Sequence, residues 1–173
     1  PQAHNNLGTA LQEKGDLNNA ILSYKKAIQI KPNFAEAYFN LGNAFHAKSN
    51  FVLAIKYFKE AINLRPNYPE AFCNLGNSFK DQDKVLESIK SYEKALQLKP
   101  NYAEAYCNLG MVHQLEDDIE KAILYYEKAL QIKPDYAGAL NNLGIALEEK
   151  GDLRKANLSF KHAIKLNSNF PEA

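Results

Sequence analysis

The chain has 173 residues, 46% of them apolar and 24% charged, which suits a folded protein and is too apolar for a disordered one. Its 21 Lys and Arg against 20 Asp and Glu leave a net charge of +1, so the basic excess that drives phosphate binding is missing and no nucleic-acid partner is expected. No apolar run approaches the roughly 18 residues of a membrane span, no leader pattern opens the chain, and two Cys make no disulfide framework; membrane and disulfide-scaffold classes drop out and a cytoplasmic setting is expected.

The organisation is repetitive. Pro32, Pro66, Pro100 and Pro134 recur every 34 residues, closing the phrases AIQIKP, AINLRP, ALQLKP and ALQIKP. Gly8, Gly42, Gly76, Gly110 and Gly144 keep the same step inside an N-L-G motif. Such a period signals stacked supersecondary units rather than one globule. The chain divides as a single array into units 1–32, 33–66, 67–100, 101–134 and 135–168, with 169–173 opening a further one. A start at Pro1 and a single Met, Met111, suggest a segment of something longer.

In chain order, each unit reads as two helices. Apolar residues three and four apart, as in Tyr38, Leu41 and Phe45 or Phe72, Leu75 and Phe79, mark the first. Asn33, Asn67, Asn101 and Asn169 each have Glu three residues on, a capping-box pattern; Asp135 meets Gly138 instead. Gly15-Asp16, Ser49-Asn50, Asp117-Asp118 and Gly151-Asp152 then end the first helix and cap the second, with Asp83-Lys84 the weakest of these turns. The second helix carries Leu17, Ala20, Ile21, Tyr24, Ala27 and Ile28, echoed by Ile119, Ala122, Ile123, Tyr126, Ala129 and Leu130, until proline stops it. Ser88 stands where other units have Ala, and its hydroxyl is expected to bond back to the Lys84 carbonyl. Lys31, Arg65, Lys99 and Lys133 precede the prolines; they read as cations suited to a helix C-terminus, with a phosphate-binding strip as the alternative. Glycine in mid-helix costs about 1 kcal/mol against Ala. Five recurrences point to a tight helix crossing, opposite small residues such as Ala20, Ala54, Ala122 and Ala156.

The pattern resembles the tetratricopeptide repeat family over the whole chain. The second unit carries the family signature at Tyr38, Leu41, Gly42, Phe45, Ala54, Phe58, Ala61 and Pro66, and the fourth at Tyr106, Leu109, Gly110, Ala122, Tyr126, Ala129 and Pro134, with His113 in the second aromatic place. Departures are His4 and Leu140 at the first aromatic position, Ser88 for Ala and Ser168 for Pro. The resemblance implies an all-α, right-handed superhelical solenoid of antiparallel helix pairs, with the first helices lining a concave groove.

No catalytic constellation appears. Nucleotide-binding glycine loops, G-x-S-x-G and H-E-x-x-H are absent from the sequence, and the four His fall in unrelated contexts. No enzyme activity, cofactor or metal is expected within these residues, although a catalytic domain elsewhere in a parent chain is compatible with them. Cys73 and Cys107 hold equivalent places without the second pair a metal needs, and are expected to stay unpaired in the groove lining.

Carried over residue by residue, the resemblance puts a peptide-binding site at Asn6 and Thr9, then Phe39, Asn40 and Asn43, then Cys73, Asn74 and Asn77, then Cys107, Asn108 and Met111, and Asn142, with Asn5, Asn141 and Ile145 beside them. Gln12, His46, Lys80, Gln114 and Glu148 form the far edge. The Lys and Arg by which chaperone-tail-binding members clamp a terminal carboxylate are replaced here by Asn5, Phe39, Cys73 and Cys107, by Glu36, Glu70 and Glu104, and by Asn74 and Asn108, so that partner is not expected. One Asn per unit (Asn6, Asn40, Asn74, Asn108 and Asn142) precedes Leu-Gly and forms a ladder, similar to consensus repeats and to the repeat arm of O-linked N-acetylglucosamine transferases. Each amide offers both a donor and an acceptor to an extended backbone; fixing the stacking of neighbouring repeats is the alternative role. The expected function is a protein- or peptide-binding scaffold, the alternative a substrate-recruiting arm of such a transferase. Self-association through the ends is a third reading, with Phe160 and Ile164 bordering apolar surface.

Overall fold

The computed structural model describes residues 1–167, which form ten α-helices and, among the described residues, no strand. Two compact units divide the chain, Pro1–Leu98 and the residues from Lys99 onward. The first holds α1 (Gln2–Glu13), α2 (Leu17–Ile30), α3 (Ala35–Ala47), α4 (Phe51–Leu64), α5 (Pro69–Lys80) and α6 (Val85–Leu98). The second holds α7 (Ala103–Leu115), α8 (Ile119–Ile132), α9 (Ala137–Glu149) and α10 (Leu153–Asn167). Each unit is a stack of antiparallel helix pairs. One core gathers Tyr24, Leu41, Phe45, Phe58, Leu75 and Phe79, the other Ile123, Tyr126, Leu143 and Leu147.

The turn inside every pair is built alike. Gly15, Ser49, Asp83, Asp117 and Gly151 all take positive φ, from 56° at Ser49 to 87° at Gly151. The amide of that residue and the next bond back to the ending helix, as Ser49 N–H to His46 O (2.8 Å) and Asn50 N–H to Phe45 O (2.9 Å). This is the Schellman arrangement, which satisfies carbonyls a helix end would otherwise orphan. The residue after the positive φ then caps the following helix: Asp16, Asn50 and Asp118 accept from the amides of Asn19, Leu53 and Lys121, and Asp152 from Lys155. The third turn is not an outlier in shape. Asp83 and Lys84 make the same two backbone bonds, to Lys80 O and Phe79 O at 2.9 Å. Lys84 simply has no oxygen for capping.

Several sequence expectations need correction. Asn33, Asn67 and Asn101 do not cap the first helices. The N-caps of α3, α5, α7 and α9 are Phe34, Tyr68, Tyr102 and Tyr136, with no side-chain cap bond. The aromatic wins this position because it packs inward; Phe34 and Tyr68 are buried, and Phe39 lies 4.9 Å from the Tyr68 ring. Asn169 and the rest of the last stub lie outside the described residues. The Ser88 hydroxyl donates to Val85 O at 2.8 Å, not to Lys84. The pre-proline cations are pushed into extended backbone (Lys31 φ −135°, ψ 91°), where proline disfavours the helical region. Each then lies over the capping aromatic three residues on: Lys31 on Phe34 at 5.2 Å, Arg65 on Tyr68 at 4.5 Å, Lys99 on Tyr102 at 4.4 Å and Lys133 on Tyr136 at 5.0 Å.

The glycine crossing is real, but its partner is an aromatic ring. A Cβ on Gly8, Gly42, Gly76 or Gly110 would sit 2.5–2.7 Å from the nearest ring atom of Tyr24, Phe58, Tyr92 or Tyr126, and Gly144 faces Phe160 in the same way. The alanines of the second helices are buried elsewhere in the pair interface. Replacing Gly110 by Ala is therefore expected to destabilise by about 1–3 kcal/mol, the scale of overpacking, although Ala is the better helix former by about 1 kcal/mol. Chemical denaturation of the variant decides the sign. At the turns the direction reverses: Ser49→Gly relieves a positive φ of 56° and is expected to raise stability by about 0.5 kcal/mol in the same assay.

Candidate functional site

The first helices of the first unit present an amide-lined surface whose side chains are tied from repeat to repeat. Asn5 is buried, donates to Glu36 Oε1 (3.2 Å) and accepts at Oδ1 from Asn40 Nδ2 (3.0 Å). Asn74 Nδ2 donates to Asn43 Oδ1 at 2.8 Å. Asn77 Oδ1 accepts from the Tyr92 hydroxyl at 2.7 Å. Tyr24 reaches Gln12 Oε1 (3.1 Å) and Thr9 Oγ1 (3.5 Å) in the same manner. The rings that glycine admits thus run through the pair, and their hydroxyls anchor polar groups on the first helix. Asn43, His46, Ala47, Asn74 and Asn77 enclose a cavity of about 210 Å³. His46 Nε2 lies 3.0 Å from Asp81 Oδ2, and Lys80 pairs with the other carboxylate oxygen at 3.1 Å. Asn6 is exposed and accepts from Gln2.

In the second unit Asn142 Nδ2 lies 3.8 Å from Cys107 Sγ. Tyr126 donates to Gln114 Oε1 (2.8 Å), whose Nε2 donates to both oxygens of Glu149 at 3.0 Å. His113 stacks on Tyr125 with ring centres 5.2 Å apart and has Asp118 3.8 Å away, a structural aromatic substitute. Met111, Gln114, Leu115, Tyr126, Asn142 and Glu149 line a cavity of about 350 Å³.

Within the first unit Asn43, Asn74 and Asn77 line one cavity, while Thr9 and Asn40 both bond to Asn5. Within the second, Met111 and Asn142 line another. Cys73 and Cys107 are 2% and 3% exposed within their respective units, and Phe39 packs on Phe58 and Tyr68. Neither cysteine forms a disulfide among the described residues, and both side chains are buried. Burial pushes the Cys107 thiol above its ordinary range, against the lowering effect of its hydrogen bonds to Tyr136 and Asn142. Sequence reasoning missed Leu115, Tyr126 and Glu149. The signal was present, since Leu115 occupies the place of Ala47, Asp81 and Glu149, none of which is a large apolar residue.

The TPR repeat family model matches residues 8–49, 42–83 and 76–116, and two models described as Tetratricopeptide repeat match 103–136 and 125–156. The chain belongs to the tetratricopeptide repeat family. Among solved structures it is similar to MamA, at 31% identity, TM-score 0.82, covering 96% of this chain and 97% of that one. It shares its fold with pilF of Pseudomonas aeruginosa (21% identity, TM-score 0.88, 95% and 75% covered). YrrB, a TPR protein with an unusual peptide-binding site, is likewise similar (23% identity, TM-score 0.71, 96% and 86% covered). No curated protein matches the chain. No helix among the described residues is long and apolar enough to cross a membrane, and no three metal-ligating side chains cluster there.

Buried phenols make this tetratricopeptide chain sensitive to alkali. Burial pushes the Tyr68 phenol up to about 12 although Arg65 opposes it, and raises Tyr92 and Tyr126 further. A raised phenol pKa means the fold holds the neutral form. Its contribution is therefore intact below the ordinary value near 10 and drains as pH climbs from about 10 towards 12. Denaturation midpoints should be flat from about pH 7 to 9 and fall steeply above about 10, with the Tyr92 and Tyr126 phenols ionising only as the fold is lost.

Proposed function

We propose that the chain is a non-catalytic protein-interaction module, its five helix pairs forming one repeat series whose first helices bind an extended segment of a partner protein. The reading rests on the state of the ladder amides. Asn40, Asn74 and Asn142 each commit one N–H to an earlier repeat, to Asn5, Asn43 and Cys107 respectively, while their carboxamide oxygens accept no hydrogen bond among the described residues. A donor bond holds each amide in place, and the oxygen and remaining N–H are left to pair with a backbone amide, which presents the complementary groups. The structural and binding roles of the ladder are then two ends of one side chain. A peptide-binding site in YrrB lends the reading further support. A terminal-carboxylate clamp is not part of it, because the ladder is uncharged.

The test is to select binders from a phage-displayed library of random peptides and measure them against Asn40, Asn74 and Asn142 changed together to Ala. Each site loses a hydrogen bond worth about 0.5–1.5 kcal/mol and gains about 0.6 kcal/mol of helix propensity, so the melting temperature should move little. Affinity for the selected peptides should fall at least about tenfold, three lost bonds at the low end of that range. Unchanged affinity would remove the ladder from the site.

A further inference from the structure

Corresponding cavities in the two units differ in chemistry. Asn43, His46 and Ala47 of the first unit stand at the repeat positions of Met111, Gln114 and Leu115 in the second, and Asn74 at that of Asn142. The volume grows from about 210 to about 350 Å³ as the amide and small side chain give way to Met and Leu. Leu115 is 70% exposed at the last residue of α7, so it adds little to the core. Its repeat equivalents Ala47, Asp81 and Glu149 show that the turn does not call for an apolar side chain there. Met111, the one methionine of the chain, supplies an unbranched and adaptable wall.

The polar groups around this cavity are fixed. Tyr126 holds the Gln114 oxygen, and Gln114 in turn holds both oxygens of Glu149, giving the carboxylate a neutral donor and, among the described residues, no cation. Nearby Lys150 pairs with Glu120 instead. Asn142 lines the same space with its carboxamide oxygen open. A backbone acceptor, an apolar hole and an uncompensated anion therefore converge within one pocket.

We propose that this pocket selects an aliphatic side chain, Leu, Ile or Met, followed by Lys or Arg in the bound segment. The aliphatic group enters between Met111 and Leu115, the cation meets Glu149, and the segment's N–H donates to Asn142. This specificity rests on the peptide-binding reading above and adds the identity of one anchor residue to it.

The probe is the capped peptide Ac-Gly-Ser-Leu-Lys-Ser-Gly-NH2, titrated into the whole chain and followed by NMR of the Asn and Gln side-chain amides. Replacing its Leu by Ser should weaken binding about tenfold, the value of burying one such side chain, and replacing its Lys by Gln about threefold in a salt-dependent way. Leu115→Ser and Met111→Asn should remove the preference for Leu while leaving the weak binding of the Ser peptide intact; Glu149→Gln should remove only the preference for Lys. Circular dichroism checks that each variant folds, and exposed Leu115 should be neutral in melting. Wild-type affinity for the Leu peptide and an unchanged Leu-over-Ser preference in Leu115→Ser would overturn the pocket. So would a wild-type mass that rises with concentration and is restored to monomer by Leu115→Ser, since Leu115 would then be a contact between copies. If no peptide perturbs Asn74 or Asn142 at all, the broader peptide-binding reading fails instead.

Discussion

The close approach of a mid-helix glycine to an aromatic ring is the contact on which the other features of this chain depend. Gly8, Gly42, Gly76, Gly110 and Gly144 each face a ring on the partner helix at a distance that no Cβ would tolerate. The ring is thereby drawn against the first-helix backbone and fully buried, as Tyr24, Phe58, Tyr92 and Tyr126 are. A helix gives up intrinsic propensity at one position and gains the burial of a large side chain, worth about 1.5–3 kcal/mol. The exchange favours folding only once the pair has formed, so it works through tertiary packing rather than through either helix alone.

The same ring carries the fold's order to the surface. Where it is tyrosine, its hydroxyl emerges beside the first helix and bonds a polar residue there: Gln12 in the first pair, Asn77 in the third, Gln114 in the fourth. Where it is Phe58 no hydroxyl is available, and Asn43 is held by Asn74 of the next pair instead. The presented amides are therefore oriented by either of two routes, within a pair or between pairs. Restraint of this kind lowers the ordering cost of binding an extended segment. It also accounts for the helix-disfavouring Asn at 40, 74 and 142, since each amide donates to a residue of an earlier repeat.

The repeat, the helix pairs, the turn caps and the proline stops were legible in the sequence because each is a local rule with a fixed offset. Asp16, Asn50 and Asp118 cap their helices as the spacing predicts. What failed was decided by contacts that spacing does not encode. Asn33 and Asn67 carry a capping pattern, yet the aromatic one residue later takes the N-cap because burial of Phe34 and Tyr68 outweighs one exposed hydrogen bond. Cys73 and Cys107 sit in groove-facing register but fall under their neighbours. The cation rows looked like helix-end charges until the aromatic partners three residues on, across a proline turn, came into range. The ladder could be found from its period, whereas Leu115 and Glu149 meet only in a cavity lined by three helices from two repeats.

Repetition itself separates the frame from the surface in this chain. Positions that hold glycine, the facing aromatic and the buried alanines hardly vary between units, because each must satisfy the same close contact. Positions 43, 77, 111 and 145 run Asn, Asn, Met and Ile, and positions 47, 81, 115 and 149 run Ala, Asp, Leu and Glu. The turn makes no demand on the second set, since the same Schellman arrangement follows Ala47, Asp81, Leu115 and Glu149 alike. A residue free of structural demand and yet apolar, exposed and beside a fixed carboxylate is best accounted for by what it touches outside the chain. That argument applies to Leu115 and not to Leu109, which is buried at a frame position. In an array of near-identical units, chemical identity therefore resides in the departures from the repeat at positions the frame leaves free.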